Sequence, residues 1–332
     1  MKTKIIATYG PALENAGVLG KALKYADIIR INFSHGSKAK WSEYVDTIRH
    51  EAKRSGRKTL LLADLPGPKI RFGKITREIE VKPGDEIIIG YNKKGAIPIE
   101  YDISAEARRG STILVGDGYL KLSISKVRKG LITCRALNNG RISSKKGVSM
   151  SGMRRIVSPT PEDMELAEFA KSEGFDWIGL SFATSAAGVK SLRSRTGIPV
   201  VSKIESTAAL SNLEEIVKAS DAVMVARGDL ALDIGIENIP EAQRDIISEC
   251  ARFEKPVIVA TEMLASMVSR AMPTRAEVND IANAIWAGAS YLMLSEETAV
   301  GSYPVEALEM LYNTASVAEH APGMRHWSTP RL

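Results

Sequence analysis

Three consecutive apolar runs each end in polar residues able to do chemistry. Val200 to Glu205 brings Lys203 and Glu205, Ala222 to Asp229 brings Arg227 and Asp229, and Val257 to Thr261 brings Thr261. An ammonium, two carboxylates and a hydroxyl at neighbouring strand ends fit a divalent cation and an anionic substrate. Carboxylate oxygens suit Mg2+, which keeps several waters and shares its remaining positions with substrate phosphates, while an ammonium offsets negative charge developing on an oxygen. Singly, each residue is ordinary at the end of a strand; their common side on three adjacent runs makes the case for a site.

The runs that must position these residues recur along the chain: Lys4 to Tyr9, Asp27 to Phe33, Thr59 to Asp64, Asp176 to Phe182, Val200 to Glu205, Ala222 to Asp229, Val257 to Thr261 and Tyr291 to Ser295. Near-continuous apolar strands alternating with amphipathic helices describe a parallel sheet covered by helices, and eight such units close into a (β/α)8 TIM barrel of the α/β class. Thr274 with Glu277 reads as a capping box and Thr160 with Asp163 as a close variant, while Pro240 and Pro304 suit first helical turns. An open doubly wound sheet is the competing architecture, but no Gly-x-Gly-x-x-Gly follows the first run.

Between the third and fourth runs the period changes to short alternating segments, Glu78 to Val81, Glu86 to Ile89, Thr112 to Val115 and Leu120 to Ser125, punctuated by Pro83-Gly84 and Asn138-Asn139-Gly140. The expected organisation is therefore a discontinuous barrel, 1–72 and 150–320, a small all-β lid, 73–149, set into a βα loop above the pocket, and a tail, 321–332.

A length of 332 residues suits a barrel plus one insertion. Hydrophobic content of 44% and charged content of 25% are those of a globular protein, and no apolar run reaches the roughly 18 residues of a membrane span. With no signal-peptide pattern, the expected compartment is the cytoplasm. Cys134 and Cys250 form no Cys-x-x-Cys pair and read as buried, reduced thiols. The lid carries 15 Lys and Arg against 8 Asp and Glu between Gly73 and Met150, an electrostatic cover for phosphates. Nucleic acid is disfavoured as a partner by 6% aromatic content without a stacking motif.

Arg30-Ile31-Asn32-Phe33-Ser34-His35-Gly36, Gly67-Pro68-Lys69-Ile70-Arg71, Ser144-Lys145-Lys146-Gly147-Val148, Ser202-Lys203-Ile204-Glu205, Met224 to Leu230, Ala260-Thr261, Pro273 to Glu277 and Met293-Leu294-Ser295 follow in the order and spacing of the pyruvate kinases, which the chain resembles from Thr3 to about Glu319. The resemblance implies a barrel with a mobile lid after its third strand, transfer of the phosphoryl group of phosphoenolpyruvate to ADP, and protonation of the enolate to give pyruvate and ATP. It assigns the divalent cation, Mg2+ or Mn2+, to Glu205 and Asp229. Lys203 and Arg30, with Arg71 as a second cation, would neutralise and clamp the group in flight. Substrate contacts would come from Ala226, Arg227, the backbone of Gly228 and Asp229, and Thr261, with Thr261 and Ser295 in the network that delivers the proton. Asn32, His35 and Lys145 resemble the nucleotide-phosphate contacts.

Departures from the family pattern carry their own expectations. Asn32, Ser34 and Asp64 match a monovalent-cation site, yet Lys69 stands where potassium-dependent members carry a glutamate, so catalysis without K+ is expected. Glu262, Glu296 and Thr184 replace a glutamine, a glycine and an arginine, which adds two acids and removes a cation near an anion site. The chain stops before the family's usual C-terminal effector domain, so hyperbolic kinetics are expected, and pairing as a homodimer or homotetramer through the barrel is compatible with the sequence. Two competing readings are a catalytically weak sensor of phosphorylated metabolites or nucleotides, for which Glu262 and Glu296 leave room, and another barrel enzyme acting on enolates or 2-oxo acids.

Overall fold

The eight apolar runs form eight parallel strands in a computed structural model that describes residues 2–68, 70–116, 120–150 and 157–321. Lys4–Thr8, Ile28–Asn32, Leu60–Asp64, Trp177–Leu180, Val200–Ile204, Ala222–Ala226, Val257–Ala260 and Tyr291–Leu294 pair in chain order, and the last pairs with the first to close the barrel. The open-sheet alternative is thereby excluded. The strands read as unbroken apolar runs because both faces are buried. Ile6, Ile28, Leu62, Trp177, Val201, Met224, Ile258 and Tyr291 fill the barrel interior, while their neighbours Ile5, Ile29, Leu61, Ala63, Val200 and Val223 pack under the helices.

Helix starts follow the local chemistry. Both Thr160 with Asp163 and Thr274 with Glu277 make complete capping boxes, each hydroxyl accepting the third-residue N–H while the acid returns to the cap N–H. Pro240 and Pro304 sit in first turns, where no intrahelical N–H is required.

One boundary differs from the sequence expectation in a way that bears on the site. The sixth strand stops at Ala226, and Arg227–Ile234 is a helix, so Arg227 and Asp229 come from a first helical turn rather than from the strand. Similarly, Glu205, Thr261 and Ser295 lie one residue past their strands.

Residues between the third and fourth barrel strands fold into sheets of their own. Val148–Met150, Thr112–Val115, Leu120–Arg128, Leu131–Ala136, Glu86–Gly90 and Ile97–Pro98 make a six-stranded sheet, and Ile79–Val81 pairs with Gly140–Ile142. Phe72, Ile89, Ile113, Leu122, Cys134 and Ile142 belong to a separate core beneath them. At its base, Arg71 bridges to Gly147 and Phe72 to Ile99. Cys134 and Cys250 are buried free thiols, each pushed up to about 12 by burial. Among the described residues no helix is long and apolar enough to cross a membrane.

Candidate active site

Side-chain alternation builds the site. Along a strand every second residue points inward, and the interior positions occupied by Ile6, Ile28, Leu62, Trp177 and Val201 continue at the carboxyl end of the barrel as Thr8, Arg30, Asp64, Ser181 and Lys203. A polar layer thus caps the apolar interior, and that end of a barrel is where βα loops gather. Gly179 lies within this layer for a steric reason: a Cβ there would stand 3.1 Å from Asp64 Oδ1.

The layer is an alternating lattice of charge. Arg30 Nε donates to Asp64 Oδ2 at 2.6 Å and its Nη1 to Thr8 Oγ1 at 3.0 Å. Lys203 Nζ donates to Ser181 Oγ at 2.7 Å and lies 3.0 Å from Asp64 Oδ1 and 3.1 Å from Glu205 Oε1. The Asp64 Oδ1 contact is an ion pair lying off the hydrogen-bond direction, which leaves Oδ1 a buried oxygen without a donor. Glu205 Oε2 accepts the Phe182 N–H at 2.7 Å, and Phe182 itself holds a left-handed φ of 51° to present it.

Burial and pairing compete for each of these charges. Burial alone would raise the Asp64 carboxyl, but the Lys203 and Arg30 cations override it and hold it below the ordinary range. For Lys203, burial pulls downward while Asp64 and Glu205 pull harder upward, so the ammonium stays charged. Glu205 goes the other way: burial first, and then the nearby Asp229 carboxylate, raise it despite Lys203. Arg30 and Lys203 face Asp64, Glu205 and Asp229, two cations against three carboxylates. A divalent cation would turn that excess of one negative charge into one positive charge, as an anionic substrate requires. Glu205 and Asp229 offer the hard oxygens that Mg2+ prefers, and among the described residues no group of three or more His, Cys, Asp or Glu that could hold a metal is found.

Arg227 works inside the protein. Its guanidinium donates to the carbonyls of Ala260 at 3.2 Å and Thr261 at 2.5 Å and to Asp280 Oδ2 at 2.7 Å. These bonds clamp a loop in which Thr261 and Glu262 are consecutive non-glycine residues at positive φ, 71° and 53°. Thr261 Oγ1 accepts the Gly228 N–H at 3.0 Å, so that amide is engaged by the protein. A Cβ at Gly228 would come no closer than 3.8 Å to Thr261, which means glycine keeps open the space in front of the loop rather than relieving a clash. Ser295 is half-buried, and its N–H donates to Glu297 Oε2 at 2.7 Å, while Glu297 Oε1 accepts from Leu264 N at 3.0 Å. That buried carboxylate, raised first by burial, links the loops carrying Thr261 and Ser295.

The residues assigned to monovalent cation and nucleotide lie on the neighbouring loops. Asn32 Oδ1 accepts from Ser34 N at 3.0 Å, and Asp64 keeps its one undonated oxygen. Lys69 lies outside the described residues. His35 is exposed, its carbonyl accepting from Trp41 Nε1 at 2.8 Å. Arg71 Nη1 donates to the Lys145 carbonyl at 3.0 Å, Lys145 holds a φ of 64°, and its ammonium pairs with Glu100. Glu262 and Glu296 are exposed and Thr184 half-buried. A cleft opens between the two parts of the chain, lined by Glu205, Asp229, Asp233 and Phe182 below and Ile70, Val148 and Met150 above.

Sequence reasoning missed Thr8, Ser181, Asp163, Glu297 and Asp280. Asp163 accepts from Gly67 N at 2.9 Å while capping its helix, a task invisible in a capping motif. The inward parity of Thr8 on the first strand and of Ser181, one residue past the fourth, offered a signal in advance.

Residues 1–308 match the family model "Pyruvate kinase, barrel domain". The chain is 39% identical over 331 residues to a pyruvate kinase of Thermococcus litoralis, covering 96% of this chain and 70% of that protein. It is 41% identical to one from Agrobacterium vitis, over 93% of this chain and 67% of the relative. To one from Staphylococcus saprophyticus it is 38% identical, over 96% of this chain and 57% of the relative.

Proposed function

Because this chain belongs to the pyruvate kinase family, we propose that its cleft passes the phosphoryl group of phosphoenolpyruvate to ADP and protonates the enolate to pyruvate. The observation that carries this reading is the buried Lys203 ammonium, held by Asp64, Glu205 and Ser181 at the end of the barrel where Asp229 and the Thr261 loop converge. A loose phosphoryl transition state needs positioning and countercharge more than covalent help. Lys203 and Arg30 supply fixed positive charge at no cost of reorganisation, since Asp64 already orients both. Glu205 and Asp229 would hold Mg2+ or Mn2+, whose Lewis acidity neutralises the phosphoryl and enolate oxygens. The backbone of Gly228 and Asp229 would receive the substrate carboxylate at the opening turn of their helix, the carboxylate displacing Thr261 Oγ1 from the Gly228 N–H, with Ala226 and Arg227 fixing that turn. Thr261 and Ser295 sit on loops joined by Glu297, suited to passing a proton toward the enolate carbon. Arg71 would join Arg30 as a second cation on the transferring group, and Asn32, His35 and Lys145 would take the nucleotide phosphates beneath the basic lid.

Turnover without potassium is part of the proposal. The substitution at Lys69 motivates it. The test is pyruvate formation from phosphoenolpyruvate and ADP with Mg2+ in buffer free of K+ and NH4+, then with KCl added. Turnover in both supports the whole reading; turnover only with KCl removes the potassium clause; none in either refutes the kinase and favours the sensor.

A further inference from the structure

We propose that Ser181 is the positioning residue of Lys203 and ties its ammonium to the root of the lid. The inference rests on the phosphoryl-transfer reading and extends it to a residue with no place in that scheme. Ser181 is 2% exposed. A serine hydroxyl has one proton to give, and here it goes to the Leu65 carbonyl at 2.7 Å, which turns a lone pair toward Lys203 Nζ, also at 2.7 Å. Rotation of the hydroxyl would break one bond or the other, so the acceptor is fixed in direction. Asp64 Oδ2 accepts from the ammonium only at 3.4 Å, and the 3.0 and 3.1 Å approaches of Asp64 Oδ1 and Glu205 Oε1 are ion pairs. Ser181, at 2.7 Å, is the shortest hydrogen bond the ammonium makes and helps Asp64 to set where the charge points.

Leu65 is the first residue after the third strand, where the chain leaves for the lid. On its return the chain passes Ser158, whose hydroxyl donates to the Ser181 carbonyl at 2.6 Å, and the following residue presents Phe182 N–H to Glu205. One stretch, Ser181-Phe182, therefore holds Lys203, Glu205 and both roots of the lid. A shift of either root would be passed to the ammonium through Ser181.

The experiment is a double-mutant cycle of Ser181→Ala and Lys203→Met. Ser181→Ala should lower kcat about 10- to 100-fold, the loss of one hydrogen bond to a charged group, with KM for ADP unchanged. In the Lys203→Met background the same substitution should cost less than about twofold, because its route of action has gone. Equal losses in both backgrounds would show a merely structural residue and overturn the proposal. Ser181→Cys, nearly isosteric and with a weak sulfur partner, should fall between serine and alanine, and decides the matter if the alanine variant folds poorly. If the wild-type protein shows no turnover, the phosphoryl-transfer reading fails instead. The tie is then judged by tryptic cleavage within residues 73–149, which should be faster in Ser181→Ala and would refute it if unchanged.

Discussion

Replacing Lys203 by Met removes a buried cation while keeping most of the volume, and the structure sets what should follow. Lys203 Nζ stands 3.0 Å from Asp64 and 3.1 Å from Glu205, and its charge acts at full strength if a transferring phosphoryl oxygen comes within roughly 4 Å of it. At that range and an effective dielectric near 20, one unit of developing charge is stabilised by about 4 kcal/mol, or about 10³-fold in rate. Because that charge develops on the path to the transition state, the loss should appear in kcat. Mg2+ affinity should hold or rise, since the substitution leaves Asp64, Glu205 and Asp229 with Arg30 as their only buried cation. Unpairing Glu205 should also destabilise the fold, by up to about 3–5 kcal/mol where a buried pair is broken. Steady-state pyruvate formation at saturating Mg2+ would be measured alongside calorimetric Mg2+ titration and thermal melting, all well below the variant's Tm. A kcat within tenfold of wild type in folded protein would refute the assignment, and so would a fall confined to Mg2+ affinity.

Glu205→Gln should instead weaken Mg2+ on the order of 10- to 100-fold, at least what supporting residues of metal sites cost, and unchanged affinity by titration would move the metal elsewhere. Arg227→Met should lower stability by about 1.5–3 kcal/mol through its charged hydrogen bonds and lower kcat as well, because Thr261 and Glu262 lose the clamp on their positive-φ loop; a fall in Tm with full kcat would separate Arg227 from catalysis. Burial would raise the Glu277 carboxyl, but hydrogen bonds from Ser266 and Thr274 outweigh it and lower it. Its stabilisation is therefore present above the ordinary carboxylate pKa of about 4 and lost as the pH falls through the lowered value. Wild type should melt above Glu277→Gln at pH 7 and converge with it in acid, and an equal gap at both pH values would contradict this.

Sequence alone carried the barrel, because burial on both faces leaves its mark residue by residue in eight apolar runs, and it carried the inserted β-sheets because alternation replaced that pattern between them. It also carried the kinds of chemistry present: Lys203, Glu205, Asp229 and Thr261 could be picked out by type and position at strand ends. What it could not carry was partnership. Arg227 reads as a substrate cation until the fold puts its guanidinium on the carbonyls of the next loop, and the sixth run reads as strand through Asp229, whereas Arg227–Ile234 is a helix. Lys145 reads as an unpaired ammonium until the fold brings Glu100 to it. Lys203 and Asp64 are 139 residues apart in sequence, and only closure of the barrel brings them to 3.0 Å. Apolar pattern is a local property, since each residue is buried or not on its own account. A charge lattice is a property of pairs, and those pairs exist only once distant strand ends share one rim.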